Sequence, residues 1–264
     1  MILDAFRLTE RVVLVTGSGH GIGRAIALAY ADAGANVVCA ARTQAEIDET
    51  VELVRARGRE ALAVPCDVLH TEQLEALLAA TLERFGRLDV LCNNAGGALP
   101  RPALALSERA FEKIVRFNLT SPFLLTRLAV PRMVESAGGG AVVNISSGAS
   151  TLAVGGMAAY GSAKAGLNQL TRILAAEFAP KVRVNAIVVG QIDTPGASSA
   201  LSPEMKRQVA SNIPMKRIGA PDDVAACALY LASPASGWVT GHSFSVDGGV
   251  GAGSVPLAFP IPPL

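Results

Sequence analysis

Short apolar runs rich in β-branched residues alternate along the chain with longer stretches whose apolar positions recur every three or four residues. The runs at 11–16 (RVVLVT), 36–40 (NVVCA), 60–64, 88–92, 141–146 (AVVNIS), 182–189 (VRVNAIVV) and 242–249 (HSFSVDGG) predict strands. Between them lie helical patterns. Ile22, Ala25, Ile26, Ala29 and Ala33 share one face, and 43–57 is helical and charged. Leu74, Leu77, Leu78 and Leu82 form a stripe over 71–85. A long helical stretch opens near Ser107, with an interruption expected near Pro122, and another runs over 158–178. Pro221 followed by Asp222 and Asp223 predicts a helix start, ending near Ala232, because proline suits the first helical position and acids suit the first turn. Strands that are apolar throughout, separated by helices, imply a parallel sheet covered on both faces. The reading is α/β: one doubly wound domain of about seven strands over 1–250, then an apolar, proline-rich tail over 251–264.

Composition narrows the classes. Half of the 264 residues are hydrophobic and 17% are charged, enough for a sizeable core. The 23 basic and 22 acidic residues nearly cancel, without a basic run, so neither nucleic acid nor an anionic membrane is an expected partner. The amino terminus lacks a signal-peptide pattern, and no apolar run reaches the length of a membrane span. Cys39, Cys66, Cys92 and Cys227 are far apart and read as buried free thiols. His20, His70 and His242 are scattered singly, so no metal is expected. Together these features point to a cytoplasmic protein.

Two constellations carry chemistry. Tyr160 and Lys164 are four apart, which stacks a phenol and an ammonium on one helix face. Free tyrosine titrates near pH 10, and a close positive charge lowers that value, so the pair predicts a phenol activated for proton transfer near neutrality. The second is Gly17-Ser18-Gly19-His20-Gly21-Ile22-Gly23, between the first strand and its helix. Glycines there let the backbone turn tightly and approach a pyrophosphate at the helix amino terminus. A hydrolytic serine reading fails for want of a GxSxG elbow and a suitable histidine.

TGxxxGxG at 16–23, NNAG at 93–96, Asn118, Ser147 and YxxxK at 160–164 resemble, in order and spacing, the short-chain dehydrogenase/reductase family. The resemblance covers 9–250, and the stretch from Lys216 to Gly249 is similar to the branch of 3-oxoacyl reductases and bacterial hydroxysteroid dehydrogenases. It implies a single Rossmann domain and a reversible hydride transfer between a nicotinamide cofactor and a carbonyl/alcohol pair. Tyr160 would be the general acid/base and Ser147, thirteen residues earlier, a second donor to the carbonyl oxygen, with Ser146 its rival. Lys164 would tune Tyr160 and bind the nicotinamide ribose, and Asn118 would hold a water near the lysine. By the same resemblance Gly17, Gly21 and Gly23 carry the pyrophosphate, and Asp67 and Val68 contact adenine. The stretch 93–96 (including Asn94, Ala95 and Gly96) lines the adenine ribose side; Gly190, Ile192 and Thr194 belong to the segment meeting the nicotinamide. Val189 stands where the family usually has proline before Gly190, so that turn is expected to be more mobile.

The end of the second strand addresses cofactor choice. An NAD site places an acid there for the ribose hydroxyls, whereas this chain has Ala41 and then Arg42, whose fork suits a 2′-phosphate. With His20 as a further base in the loop, NADP(H) is the expected cofactor, NAD(H) remaining open. Residues 97–99, 148–154, Met157 and 195–213 should surround the substrate. They are mostly small or apolar, which favours an uncharged, hydrophobic ketone or secondary alcohol, with Arg101 at the rim. Alternatives are an NAD-dependent hydroxysteroid-like dehydrogenase, a 3-oxoacyl thioester reductase, or a non-catalytic nucleotide sensor. The resemblance further implies a homotetramer, with which Trp238 and the apolar stretch 225–231 agree. The tail is expected to lie extended over a neighbouring subunit near its pocket mouth.

Overall fold

The structure, a computed structural model, describes residues 1–198 and 202–252. The expectation for the tail therefore falls outside the described residues.

The elements follow in the order β1 (Val12–Thr16), α1 (Gly21–Asp32), β2 (Asn36–Ala41), α2 (Gln44–Arg55), β3 (Ala61–Pro65), α3 (Thr71–Phe85) and β4 (Val90–Asn93). Then come α4 (Glu108–Val115), α5 (Ser121–Ala137), β5 (Gly140–Ser147), α6 (Ala158–Phe178) and β6 (Val182–Val189). The last are α7 (Pro195–Ser198), α8 (Pro203–Asn212), α9 (Pro221–Ala232) and β7 (Ser243–Val246). The seven strands form one sheet in the order β3-β2-β1-β4-β5-β6-β7, all neighbours parallel. Val13 of β1 pairs with Val37 of β2 on one side and Val90 of β4 on the other. The chain thus reverses its direction of winding at β1, and a crevice opens there at the carboxyl ends of the strands.

Each face of the sheet carries its own core. Val13 and Val15 of β1 pack with Ile26 of α1, Ile47 and Val51 of α2, and Val224 and Leu231 of α9. Val12 and Leu14 point the other way, into Leu74 and Leu77 of α3, Leu125 and Met133 of α5, and Leu174 of α6. Both sets are buried, which is why β1 reads as an unbroken apolar run rather than an alternating one.

Local chemistry explains the ends of several helices. Pro221 opens α9, and the carboxylate of Asp223 accepts from Ala220 N at 2.7 Å. Gly86, at φ 71°, ends α3 in the left-handed conformation that costs glycine least. The interruption expected near Pro122 lies earlier, as a π-helical turn over Arg116–Thr120 that joins α4 to α5. Pro122 itself sits within the first turn of α5, immediately after that π-helical turn.

Candidate active site

The loop after β1 is shaped by contacts that exclude side chains. At Gly17, φ is +66°, and a Cβ would stand 2.9 Å from Asn94 Nδ2 and 3.0 Å from Ala95 Cα. A Cβ on Gly23 would run into Gly17 O and Asn94 Nδ2. The loop is therefore laid directly on the end of β4. Asn94 Nδ2 donates to Thr16 O at 2.8 Å and to Gly17 O at 3.0 Å, and Thr16 Oγ1 accepts from Asn94 N and Ala95 N, each at 3.1 Å. His20 precedes α1 without a side-chain capping bond, so the first-turn amides of the helix keep their capacity for an anion. Thr194 leans over the loop, its Cγ2 3.3 Å from where a Gly21 Cβ would be. Gly190 lies tight against Asp247, Ile192 is buried and bridges to Gly219, and Val68 is buried beside a half-buried Asp67.

Asn93 does not share this surface. It is buried, and its Nδ2 donates to Thr126 Oγ1 at 3.0 Å and Asn144 Oδ1 at 2.9 Å, so the 93–96 stretch presents only its last three residues to the crevice.

Arg42 is exposed at the end of β2 and makes no hydrogen bond or ion pair among the described residues. Sequence reasoning did not single out its neighbour Glu46, in the first turn of α2. Its Oε2 stands 3.9 Å from His20 Nε2 and would be 2.7 Å from a Cβ on Gly19. Arg24 ties α2 to the loop, with Nε donating to Gly19 O at 2.9 Å and both terminal nitrogens to Glu49 at 2.8 Å.

Next to the loop, the carboxyl end of β5 meets α6. The Tyr160 phenol lies beside the Ser147 hydroxyl, and Ser147 Oγ accepts from Ala149 N at 3.2 Å. Ser146 is buried and bonded instead to Lys164 O at 3.4 Å, which removes it as a rival. Lys164 is 3% exposed. Its ammonium lies 5.9 Å from the Tyr160 ring centroid and donates to Ile145 O at 2.8 Å. Asn118, in the π-helical turn, accepts from Gly97 N at 2.8 Å and donates to Gly97 O and Ile114 O, each at 3.0 Å. Lys164 and Asn118 converge on Gly96, where a Cβ would sit 3.0 Å from Nζ and 2.8 Å from Asn118 Oδ1.

The electrostatics depart from the sequence expectation. Burial raises the Tyr160 phenol above its ordinary value, and the hydrogen bond from Ser147 offsets this in part. Burial also takes Lys164 from 10.5 down to about 7. The lysine charge that was to lower the phenol is thus itself opposed by desolvation.

A glycine loop at the switch point of an open parallel sheet is the geometry with which such folds take up dinucleotides. The comparisons agree. A family model described as enoyl-(acyl carrier protein) reductase matches residues 17–251. An uncharacterized oxidoreductase of Mycobacterium tuberculosis is 44% identical over 98% of this chain and 99% of its own length. The 7α-hydroxysteroid dehydrogenase of Escherichia coli K12 is 36% identical over 93% of this chain and 96% of its own. A solved 7α-hydroxysteroid dehydrogenase, complexed with NADH and 7-oxo glycochenodeoxycholic acid, superposes with a TM-score of 0.90 at 35% identity, over 94% of this chain and 96% of that one. The chain belongs to the short-chain dehydrogenase/reductase family and is an NAD(P)-dependent oxidoreductase. No helix among the described residues is long and apolar enough to cross a membrane.

Proposed function

We propose that the protein reversibly reduces an uncharged, hydrophobic ketone to a secondary alcohol at the expense of NADP(H). The observation that carries this reading is the juxtaposition of Ser147 and Tyr160 at the end of β5, with the buried Lys164 ammonium 5.9 Å from the tyrosine ring. The cofactor fits the residues present: the loop is closed to side chains at Gly17 and Gly23, and the amides at the start of α1 have no capping side chain. Gly17, Gly21 and Gly23 would hold its pyrophosphate, with Gly19 and Ile22 in the same loop and His20 a base beside the 2′-phosphate, Asp67 and Val68 its adenine, Asn94, Ala95 and Gly96 its adenine ribose side, and Gly190, Ile192 and Thr194 its nicotinamide. When bound, the nicotinamide supplies the hydride.

The residues of the chain handle the proton and the developing charge. Tyr160 Oη gives its proton to the carbonyl oxygen, and Ser147 Oγ donates a second hydrogen bond to the same atom. A phenol held protonated by burial suits the reducing direction; alcohol oxidation needs Tyr160 deprotonated, which a nearby positive charge on Lys164 would favour. Lys164 would also bind the nicotinamide ribose. Asn118 holds Gly97 through a pair of hydrogen bonds and so sets the height of the 95–97 backbone over the lysine.

Arg42 supports the choice of NADP(H). It is a guanidinium with no partner among the described residues, at the strand end where an NAD site would place an acid, and the preceding residue is Ala41. The apolar Leu99, Leu152 and Val154, exposed near the mouth, support a hydrophobic substrate. The tetramer of the resemblance is part of the proposal; Trp238 is fully exposed in the single chain.

The test is purified protein with NADPH against a panel of ketones, followed by absorbance loss. Tyr160→Phe should retain nucleotide binding and lose about 100-fold or more in turnover, the scale of lost acid–base catalysis. Turnover at the wild-type level in the variant would refute the mechanism.

A further inference from the structure

On the face opposite the nucleotide loop, at the amino ends of β1, β4, β5 and β6, lies a polar cleft of about 430 Å³. Arg11, Arg87 and Arg183 line it, together with Glu10, Asp89 and the glycines that precede β5. The acids there are already engaged. Asp89 is 4% exposed; it takes a two-pronged bond from Arg87, at 2.8 and 2.6 Å, and a third from Val12 N at 2.9 Å. Glu10 is bonded to Arg59, which lies outside the cleft, at 2.9 Å.

Two guanidinium charges are left over. Arg183 reaches only neutral acceptors: Ser236 Oγ at 2.8 Å, and Val239 O and Ser233 O each at 3.3 Å. Arg11 makes no side-chain hydrogen bond or ion pair among the described residues. Burial, then the nearby Arg11 charge, lowers Arg183 below its ordinary value. Like charges gathered in a partly desolvated cleft without a carboxylate between them repel each other, and an anion placed there would relieve both. The wall adds a backbone donor. A Cβ on Gly139 would run into Lys181 O, so glycine is required there, and its N–H has no partner among the described residues.

We propose that this cleft is a second anion site, independent of the dinucleotide site, that takes a phosphate group as inorganic phosphate or a small phosphate monoester. Guanidinium forks match phosphate oxygens two at a time, and Arg11 and Arg183 supply such forks. The volume exceeds that of one phosphate, leaving room for a short organic substituent.

The experiment is thermal unfolding of the full chain titrated with inorganic phosphate, and separately with ethyl phosphate, at ionic strength held constant with sodium chloride. Wild type should show a saturable rise in Tm. Arg11→Gln, whose folding is checked by circular dichroism, should need at least tenfold more phosphate for the same rise. Phosphate bound by the nucleotide loop is common to both proteins and cancels in the comparison. Arg11→Glu supplies the missing carboxylate itself and should respond to phosphate no more than Arg11→Gln does, keeping at most the part that the nucleotide loop contributes. Coincident titration curves for wild type and Arg11→Gln, or a rise no larger than chloride produces, would overturn the site. A full phosphate response in Arg11→Glu would overturn it as well.

Discussion

Replacing Lys164 by methionine should abolish turnover and, below neutrality, make the fold more stable. The lysine is 3% exposed, and burial alone shifts it from 10.5 to about 7. At about 1.4 kcal/mol per pH unit this displacement amounts to roughly 5 kcal/mol. Its sign follows from proton counting: between pH 7 and 10.5 the unfolded chain holds a proton that the folded chain has released, so stability rises with pH across this window. The cost is complete below about pH 7 and fades as pH approaches 10.5. Methionine removes it and keeps the aliphatic packing, but leaves Ile145 O without the donor now at 2.8 Å, a loss of about 1–3 kcal/mol. The net gain at pH 6 is then about 2–4 kcal/mol, or on the order of 5–10 °C in Tm for a chain of this size. At pH 9.5 only about 1 kcal/mol of the original cost remains, and the variant should lie level with wild type or below it. Melting curves of both proteins at the two pH values, without added nucleotide, are the assay. An equal Tm difference at both pH values would show that no buried ammonium is being relieved.

Two further predictions concern the crevice. Gly96→Ala should lower kcat at least tenfold while leaving the fold intact, because its Cβ would press on Asn118 Oδ1 and Lys164 Nζ at 2.8 and 3.0 Å; wild-type kinetics would mean that these two groups yield freely. Arg42→Ala should raise the KM for NADPH about tenfold or more, on the scale of 1.5–3 kcal/mol for a charged hydrogen bond, and leave NADH nearly unchanged. Equal losses for both cofactors would separate Arg42 from the phosphate.

Elements whose apolar pattern decides their packing were legible. The limits of α3, α6 and β6 coincide with the stretches marked by their side chains, and both faces of β1 are buried as its unbroken run requires. The helix α8 was readable but unread: Ser202 caps it, accepting from Met205 N at 3.2 Å, with Pro203 and Glu204 in its first turn. That segment had been considered only as pocket wall. The π-helical turn could not be read, because its cause is tertiary. Asn118 bonds across to Gly97 and back to Ile114, and no local pattern encodes the distant partner. The same holds for Glu46, which is separated from the glycine loop by α1 and β2 in sequence and lies beside it in space. Asn93 and Asn94 show the limit of motif reading most directly. Asn93 ends β4 and Asn94 is the first residue beyond it, so one asparagine enters the interior and its neighbour holds the loop.

The interior asparagine belongs to a set of contacts that fixes how α6 sits on β5. Asn144 Nδ2 donates to Thr171 Oγ1 at 3.0 Å, Lys164 Nζ to Ile145 O at 2.8 Å and Ser146 Oγ to Lys164 O at 3.4 Å; Ser147 lies beside Tyr160, and beyond the strand Asn168 Nδ2 donates to Ser150 Oγ at 2.8 Å. Strand positions from Asn144 to Ser147 thus meet turns of one helix face from Thr171 back to Tyr160, and the turn after the strand adds the Ser150 contact. Each bond alone contributes about 0.5–1.5 kcal/mol, but a slip of the helix by one turn, about 5.4 Å, would break all of them together. The placement of Tyr160 against Ser147 is therefore a matter of register, held in part from the far end of the helix. Thr171→Val tests this with a side chain of the same shape. It leaves the buried Asn144 Nδ2 without an acceptor, at about 1–3 kcal/mol, and should lower Tm by several degrees. If the polar contacts set the register, kcat for the best ketone of the panel should fall several-fold while the KM for NADPH stays constant. A lowered Tm with kcat intact would show that apolar packing alone holds the helix in place and that the hydrogen bonds merely satisfy buried groups.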